Sequence, residues 1–161
     1  MEIKKDMMTL QMKNVLSFRG KLDQKGLNDK RQEMYDIIKQ LGVHPIYPEI
    51  TTNFGSEQTE NGLLIDMEIL IPLDKDISHE VAVMNKEGLR FKPKFQLVNA
   101  VCISHVGNKE KIEDCLKELN KYMKVRNMRP ITNQYSVPRK NPENPDEIIM
   151  DILVGVDPNI L

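Results

Sequence analysis

The 161-residue sequence contains no tryptophan and only four phenylalanines and four tyrosines. An aromatic cage for flat organic cations therefore has few side chains from which to be built. The two cysteines, Cys102 and Cys115, both fall at apolar positions, which predicts buried reduced thiols rather than a disulfide. The three histidines stand at no ligand spacing to one another or to the cysteines, so we predict no metal and no cofactor.

Neither sign of charge is in excess, since 23 lysines and arginines face 24 aspartates and glutamates, for a formal net charge of -1. Such a chain has no overall field that attracts nucleic acid or a membrane surface, so neither is an expected partner. No apolar run reaches membrane-spanning length, and the charged N-terminus lacks the apolar segment of a secretory signal. We therefore expect a cytoplasmic protein.

An internal repeat organises the sequence. Met67–Asp74 reads MEILIPLD, and Met150–Asp157 reads MDILVGVD. Upstream, Leu10–Asn14 matches Phe95–Asn99 at a constant offset of 85 residues, and the same offset relates two Pro-Ile pairs further along. Only the segment between each of those prolines and the closing strand differs in length between the two copies. This indicates a loop of variable length between elements of unchanged length.

Each copy is predicted to begin with a strand that a helix follows. In the first copy residues 10–19 form the strand, and Asn28 or Asp29 caps the helix. Gly42 suits the left-handed conformation that ends a helix, and Asn127 stands at the same place in the second copy. The repeat is thus predicted in backbone conformation as well as in sequence.

In the second copy residues 91–104 predict the strand, and an Asn108 cap with Glu110 in the first turn predicts the helix start. Residues 74–90 connect the copies, and Val81–Met84 is compatible with a short strand within them. The apolar stripe of the second helix is formed by Ile112, Cys115, Leu116, Leu119, Tyr122 and Met123.

Two further strands close each copy. Residues 46–54 and 63–73 predict a pair with a turn at Asn61-Gly62. Residues 131–137 and 147–156 form the second pair, and the segment between them, including the basic pair Arg139-Lys140, is interpreted as a solvated turn.

The repeats span about residues 10–74 and about 92–157, and we expect them to share one domain over 1–161 because a three-stranded sheet with one short helix is marginal alone. The predicted fold is α+β. It is a tandem pseudo-twofold repeat of strand-helix-strand-strand units, forming one antiparallel-rich sheet body with helices on one face and a central cleft.

Acidic residues recur on the closing strands. Alternation along residues 65–73 places only apolar side chains on one face, and Asp66, Glu68 and Leu70 on the other. If helices cover the apolar face, Glu68 and its counterpart Asp151 lie on the cleft side, where a buried carboxylate must be paired, hydrogen-bonded or neutralised. The alternative is that both acids are solvated on an exposed sheet face.

The second copy resembles the GyrI-like family, whose fold is also found as the effector-binding domain of AraC- and MerR-type transcription activators. The resemblance lies in NAVCISHVG at residues 99–107 before a helix, in the Tyr strand and Pro-rich turn at 135–147, and in the closing IMDILVGV. In that family an acid of the closing strand faces the cleft, contacts cationic or polar ligands, and is followed by a proline. The resemblance places this acid at Glu68, before Pro72, and at Asp151.

The second copy departs from that pattern, because Gly155 stands where the proline is usual. The strand tyrosine of the family corresponds to Tyr135, whose counterpart in the first copy, Ile50, is not aromatic. Tyr47 and Phe54 are further candidates for lining the cleft.

Three functions stay open. The first is a stand-alone ligand-binding or sensing module without DNA binding, in which a small molecule enters an acidic cleft and contacts Glu68, Asp151 and Tyr135. The second is a cytoplasmic chaperone or adaptor that holds a protein partner, since the chain is similar in size and composition to chaperones of type VII secreted toxins.

The third is a hydrolase of strained electrophiles, an activity of some GyrI-like proteins, with Glu68 as general base. The sequence shows no Ser/His/Asp or Cys/His arrangement and no phosphate-binding glycine loop, so no catalytic residue is assigned.

Overall fold

The computed structural model describes residues 2–107 and 111–159, which form six strands and three helices of an α+β architecture. Apart from the second helix, the order is strand, helix, strand, strand, given twice, as the sequence predicts. In chain order the elements are β1 (Glu2–Leu22), α1 (Gln24–Gln40), β2 (Ile50–Thr59), β3 (Gly62–Pro72), α2 (Ser78–Met84), β4 (Leu89–Val106), α3 (Ile112–Val125), β5 (Pro130–Lys140) and β6 (Ile148–Val156).

The chain divides into two compact units, and both boundaries fall inside strands, β1 and β4. The first unit is Gln11–Phe95, and the second is formed by the chain up to Leu10 and from Gln96 onward. Each unit therefore holds the helix and the closing strand pair of one repeat.

In the first unit β3 pairs antiparallel with both β1 and β2. Ile69 of β3 lies between Phe18 of β1 and Thr51 of β2. The β2–β3 hairpin turns at Glu60-Asn61, one residue before the predicted Asn61-Gly62, because Gly62 already pairs with Thr59. The register shifts between Asn53 and Gly55, which indicates a bulge at Phe54.

One face of this sheet packs on α1, and the alternation in β3 decides which face it is. The buried core residues from β3 and its end are Met67, Ile69, Ile71 and Leu73, and α1 contributes Met34, Ile37 and Ile38. The prediction that a helix covers the apolar face is confirmed.

The predicted start of α1 is wrong. The helix begins after Asp23, whose side chain accepts a hydrogen bond from the Gly26 backbone N–H at 2.7 Å. Asn28 and Asp29 lie within the helix. The earlier aspartate caps the first turn, and the polar residues after it are compatible with a helix although they add no apolar periodicity.

The short strand expected at Val81–Met84 is also wrong, because this segment belongs to α2. Ile77 and Val81, four residues apart, are both buried in the first core, whereas Val83 is exposed. Spacing by four is helical, and a run of four apolar residues is too short for its periodicity to be read reliably.

In the second unit β6 pairs antiparallel with β4 and β5, and α3 packs on this sheet. The predicted stripe is confirmed: Cys115, Leu119 and Met123 are buried, with Ile112, Leu116 and Tyr122 packed against them. The predicted Asn108 cap and Glu110 lie outside the described residues.

β5 continues beyond its predicted end. Pro138 and Arg139 keep the register with β6, where Met150 and Ile149 are their partners. Arg139 therefore belongs to a strand, and the interpretation of Arg139-Lys140 as a solvated turn is wrong. The fixed φ of proline is compatible with extended backbone, so Pro138 does not end the strand.

Backbone conformation repeats with the sequence. Gly42 and Asn127 both have positive φ, 68° and 53°, which confirms the predicted left-handed helix stops. Asn14 and Asn99, also 85 residues apart, share a φ of 55° and 58°. Asparagine is one of the few residues other than glycine that visits this region readily.

Candidate functional site

A group of buried polar residues lies on the face of the first sheet opposite α1. Strand register puts Thr52 of β2 beside Glu68, with Ser17 of β1 two pairs along, opposite Leu70. Glu68 is 6% exposed, Thr52 3% and Ser17 2%. These residues and Lys92 of β4 are called the Glu68 cluster, and their apolar neighbours Val15, Ile50 and Leu70 are at most 1% exposed.

One oxygen of the Glu68 carboxylate accepts two hydrogen bonds. Its Oε2 accepts hydrogen bonds from the Ser17 Oγ at 2.6 Å and from the Lys92 Nζ at 2.5 Å. The Lys92 side chain is 36% exposed, so its charged end reaches solvent while the glutamate stays buried. The buried charge is thus paired, as burial in an apolar environment requires.

The hydroxyl of Thr52 has no hydrogen-bond partner among the described residues, although it is buried directly across from Glu68. The great majority of buried polar atoms in proteins are hydrogen-bonded, because an unsatisfied one costs about 1–3 kcal/mol. Thr52 is therefore a functional candidate that sequence reasoning missed.

Asp151 occupies an equivalent environment in the second unit. Its Oδ1 accepts from the Ser104 Oγ at 2.6 Å, and its Oδ2 accepts from the Arg139 Nε at 2.7 Å. These three residues are called the Asp151 cluster. Tyr135, two residues before the β5 partner of Asp151, lies on the same sheet face and is half-buried.

The two clusters share their chemistry but not the positions that supply it. Ser104 lies directly opposite Asp151, whereas Ser17 lies opposite Leu70. The cations also differ in origin, since Lys92 comes from β4 and Arg139 from β5. An acid, a serine and a base therefore meet in each unit through different residues, which is why the repeat did not predict the partners.

Phe54 and Tyr47 are not members of the Glu68 cluster. Phe54 stands in the β2 bulge, where the Arg19 guanidinium is 3.7 Å from its ring centre. Phe54 lines a surface pocket of about 200 Å³ together with Lys21, Gly55, Ser56, Glu57, Leu64 and Asp66. Tyr47 is 59% exposed in the connection between α1 and β2.

Gly155 shows why the second copy lacks the proline that follows the acid in the first. Its backbone N–H donates to the Thr132 Oγ1 at 2.8 Å, and a Cβ at this position would come within 2.8 Å of the Thr132 Cγ2. A proline has no N–H to donate. Thr132 therefore excludes the residue that Pro72 represents in the first copy.

Cys115 of α3 contacts His105 of β4, and the sequence did not predict this Cys/His pair. The Cys115 Sγ is 3.3 Å from the His105 Nδ1, and both residues are buried. Burial and then the negative charge of Glu118 raise the pKa of the Cys115 thiol. A raised pKa keeps the thiol protonated, which is the opposite of what a thiolate nucleophile needs. Both cysteines are buried thiols, as predicted.

The described part of the chain offers no ready metal site and no membrane-spanning helix. Within residues 2–107 and 111–159, no three His, Cys, Asp or Glu side chains are grouped to hold a metal ion. None of the helices described is long and apolar enough to span a membrane.

No protein family model matches the sequence, and no curated protein is similar to it in sequence. Solved structures nevertheless share its fold. The EcmrR C-terminal domain superposes with a TM-score of 0.65 at 12% identity, over 98% of this chain and 99% of that domain. A hydrolase from Listeria innocua has a TM-score of 0.61 at 14% identity, covering 96% and 93% of the two chains.

An uncharacterised conserved protein from Listeria innocua is similar to the same degree, with a TM-score of 0.60, 16% identity and 92% of each chain covered. At such identities the likeness is one of fold. These structures are consistent with the fold that the GyrI-like resemblance implies.

Proposed function

We propose that this chain is a ligand-binding module, in which the Glu68 cluster of the first unit and the Asp151 cluster of the second are each able to hold the polar part of a small molecule. The observation that carries the proposal is the Glu68 cluster, a buried serine, threonine and glutamate on the sheet face opposite the helix. Stability alone gives little reason for such a group, because apolar residues of similar size often stabilise a fold as well as a buried ion pair does. A few polar groups in an apolar surface are typical of a binding site.

Tyr135, Phe54 and Tyr47 are proposed to make secondary contacts with the ligand. Tyr135 shares a face with Asp151 and offers both a ring and a hydroxyl to a ligand. Phe54 and Tyr47 are proposed as peripheral contacts, since they lie outside the two clusters. The near-neutral charge of the chain favours a role without nucleic-acid contact.

A compound screen by thermal shift tests the proposal, with wild type, Glu68→Gln and Asp151→Asn compared for each compound. We expect compounds that raise the melting temperature of wild type and raise that of at least one variant much less. The ligand-induced shift is the measure, because removing a buried charge alters the melting temperature of the unliganded protein. Glu60→Gln and Asp114→Asn, at exposed positions, are matched controls.

The result that contradicts the proposal is a set of ligands that protect both cluster variants and wild type equally. A chain that no compound protects would contradict it as well. The chaperone alternative stays a prediction, and a protein partner that protects wild type in the same assay would favour it.

A hydrolase is the second candidate. Two structures of this fold from Listeria innocua are named hydrolases, and Glu68 is a buried carboxylate of the kind that serves as a general base. Hydrolysis of 4-nitrophenyl acetate by wild type and Glu68→Gln decides the matter. A rate that falls in the variant supports an enzyme, and equal rates contradict it.

A further inference from the structure

In both clusters, the hydrogen-bond donors are more available to a ligand than the acceptors are. Resting on the proposed function, we infer that Lys92 and Arg139 select ligands that carry a carboxylate or similar anionic oxygen group, and that they disfavour permanent cations. Ligand contact, which the sequence predicts for the acids Glu68 and Asp151, then falls to the bases beside them.

The acceptors of the clusters are partly occupied and mostly buried, since the side chain of Glu68 is 8% exposed and that of Asp151 13%. Both oxygens of Asp151 accept a hydrogen bond from within the unit, one from Ser104 and one from Arg139. Oε2 of Glu68 accepts two hydrogen bonds, from Ser17 and Lys92. A ligand that offers only donors therefore finds few acceptors without displacing a residue of the protein.

The donors are in surplus. A lysine ammonium has three N–H groups and an arginine guanidinium has five, and each side chain uses one of them on its acid. The Lys92 side chain is 36% exposed and that of Arg139 39%, so the remaining donors are accessible. The guanidinium matches the geometry of a carboxylate, and the unpartnered hydroxyl of Thr52 adds a further group that can donate.

Charge balance leads to the same ligand class. Each cluster holds one acid and one base, so neither concentrates the negative potential that attracts a cation. A cationic ligand would have to displace Lys92 or Arg139, which exchanges one ion pair for another. An anionic group instead adds an interaction to a cation that is already in place.

The test compares two probes of one shape and opposite charge, 4-phenylbutyrate and 4-phenylbutyltrimethylammonium, by calorimetric titration. Wild type should bind the carboxylate about tenfold or more tightly than the ammonium, the ratio that one charge-assisted hydrogen bond supplies. Lys92→Met and Arg139→Met should each lose most of that preference. Lys94→Met and Lys140→Met, at exposed positions on the same strands, should keep it.

Lys92→Met leaves the Glu68 carboxylate buried without its cation, and the ammonium probe should bind this variant more tightly than it binds wild type. Should the variant fail to fold, Glu68→Gln/Lys92→Met removes both charges together. We expect that double variant to lose the carboxylate preference without gaining affinity for the ammonium.

The outcomes separate this inference from the function on which it rests. Tighter binding of the ammonium by wild type overturns the inference and leaves a ligand-binding module in place. If neither probe binds, the compounds found in the thermal-shift screen decide: anionic compounds support the inference, and cationic ones overturn it. If that screen also yields nothing, the proposed function and the inference are both overturned.

Discussion

The surroundings of two acids, Asp74 and Glu49, shift their pKa values in opposite directions. Hydrogen bonding to the His44 backbone N–H, at 2.9 Å, is the main cause that lowers the pKa of Asp74. Burial is the main cause that raises the pKa of Glu49, although the Arg31 guanidinium lies 2.6 Å away. The folded state thus favours the charged form of one carboxylate and the neutral form of the other.

The contrast predicts opposite pH dependences of stability. Asp74 contributes stability above its ordinary pKa of 3.8, and this contribution is lost as the pH falls through the lowered value. Glu49 contributes stability below its ordinary pKa of 4.5, and this contribution is lost as the pH rises through the raised value. Urea unfolding of wild type, Asp74→Asn and Glu49→Gln between about pH 3 and 7 measures both differences.

The stability difference between wild type and Asp74→Asn should shrink toward low pH. Wild type should gain relative to Glu49→Gln in the same direction. Glu60→Gln, an exposed acid in the β2–β3 turn, controls for the loss of one negative charge. Parallel pH curves for all four proteins would contradict the assignments.

The strands and helices are the scale at which sequence patterns were most informative. Alternation in β3 and the i, i+3, i+4 stripe of α3 both predict correctly which face packs between helix and sheet, because this packing selects apolar residues at the period of the backbone. Element ends were predicted less well. Asp23 rather than Asn28 or Asp29 caps α1, and β5 runs past Pro138, since capping and strand pairing depend on partners that the local pattern does not contain.

Gly155 of β6 gives a test at this scale. Gly155→Ala should lower the free energy of unfolding by about 1–3 kcal/mol, because its Cβ would press on the Thr132 methyl. Thr132→Ser removes that methyl and keeps the hydroxyl that accepts from the Gly155 N–H.

In a double-mutant cycle measured by urea unfolding, Thr132→Ser should recover much of the loss caused by Gly155→Ala. Additive effects of the two substitutions would show that the contact with Thr132 is not the reason for the glycine at this position.

At the scale of the whole molecule, two units with separate apolar cores carry the stability. α1 and β3 pack around one core, and α3 and β6 pack around the other. Among the described residues no metal-binding group takes part, and no folding role for a cofactor follows from the sequence.

A strong chelator should therefore leave the melting temperature of the purified protein unchanged. Scanning calorimetry with and without the chelator measures this, and the chelator saturated with calcium beforehand is the control. A fall in melting temperature that only the unsaturated chelator produces would reveal a structural metal.

The sequence by itself determined the duplication, the order of elements in each copy, the faces that the helices cover and the left-handed stops at Gly42 and Asn127. These features follow from local periodicity and from the φ angles that each residue type tolerates. The same patterns marked Glu68 and Asp151 as the acids of interest.

Only the tertiary structure decided what those acids contact. Lys92 lies 24 residues from Glu68 along the chain, Ser17 lies 51 residues away, and Arg139 lies 12 residues from Asp151. Strand pairing brings such residues together, and a shift of one residue in register would turn each partner to the other face. The cation beside each acid, on which the proposed ligand class rests, is therefore a property of strand register that no local pattern in the sequence contains.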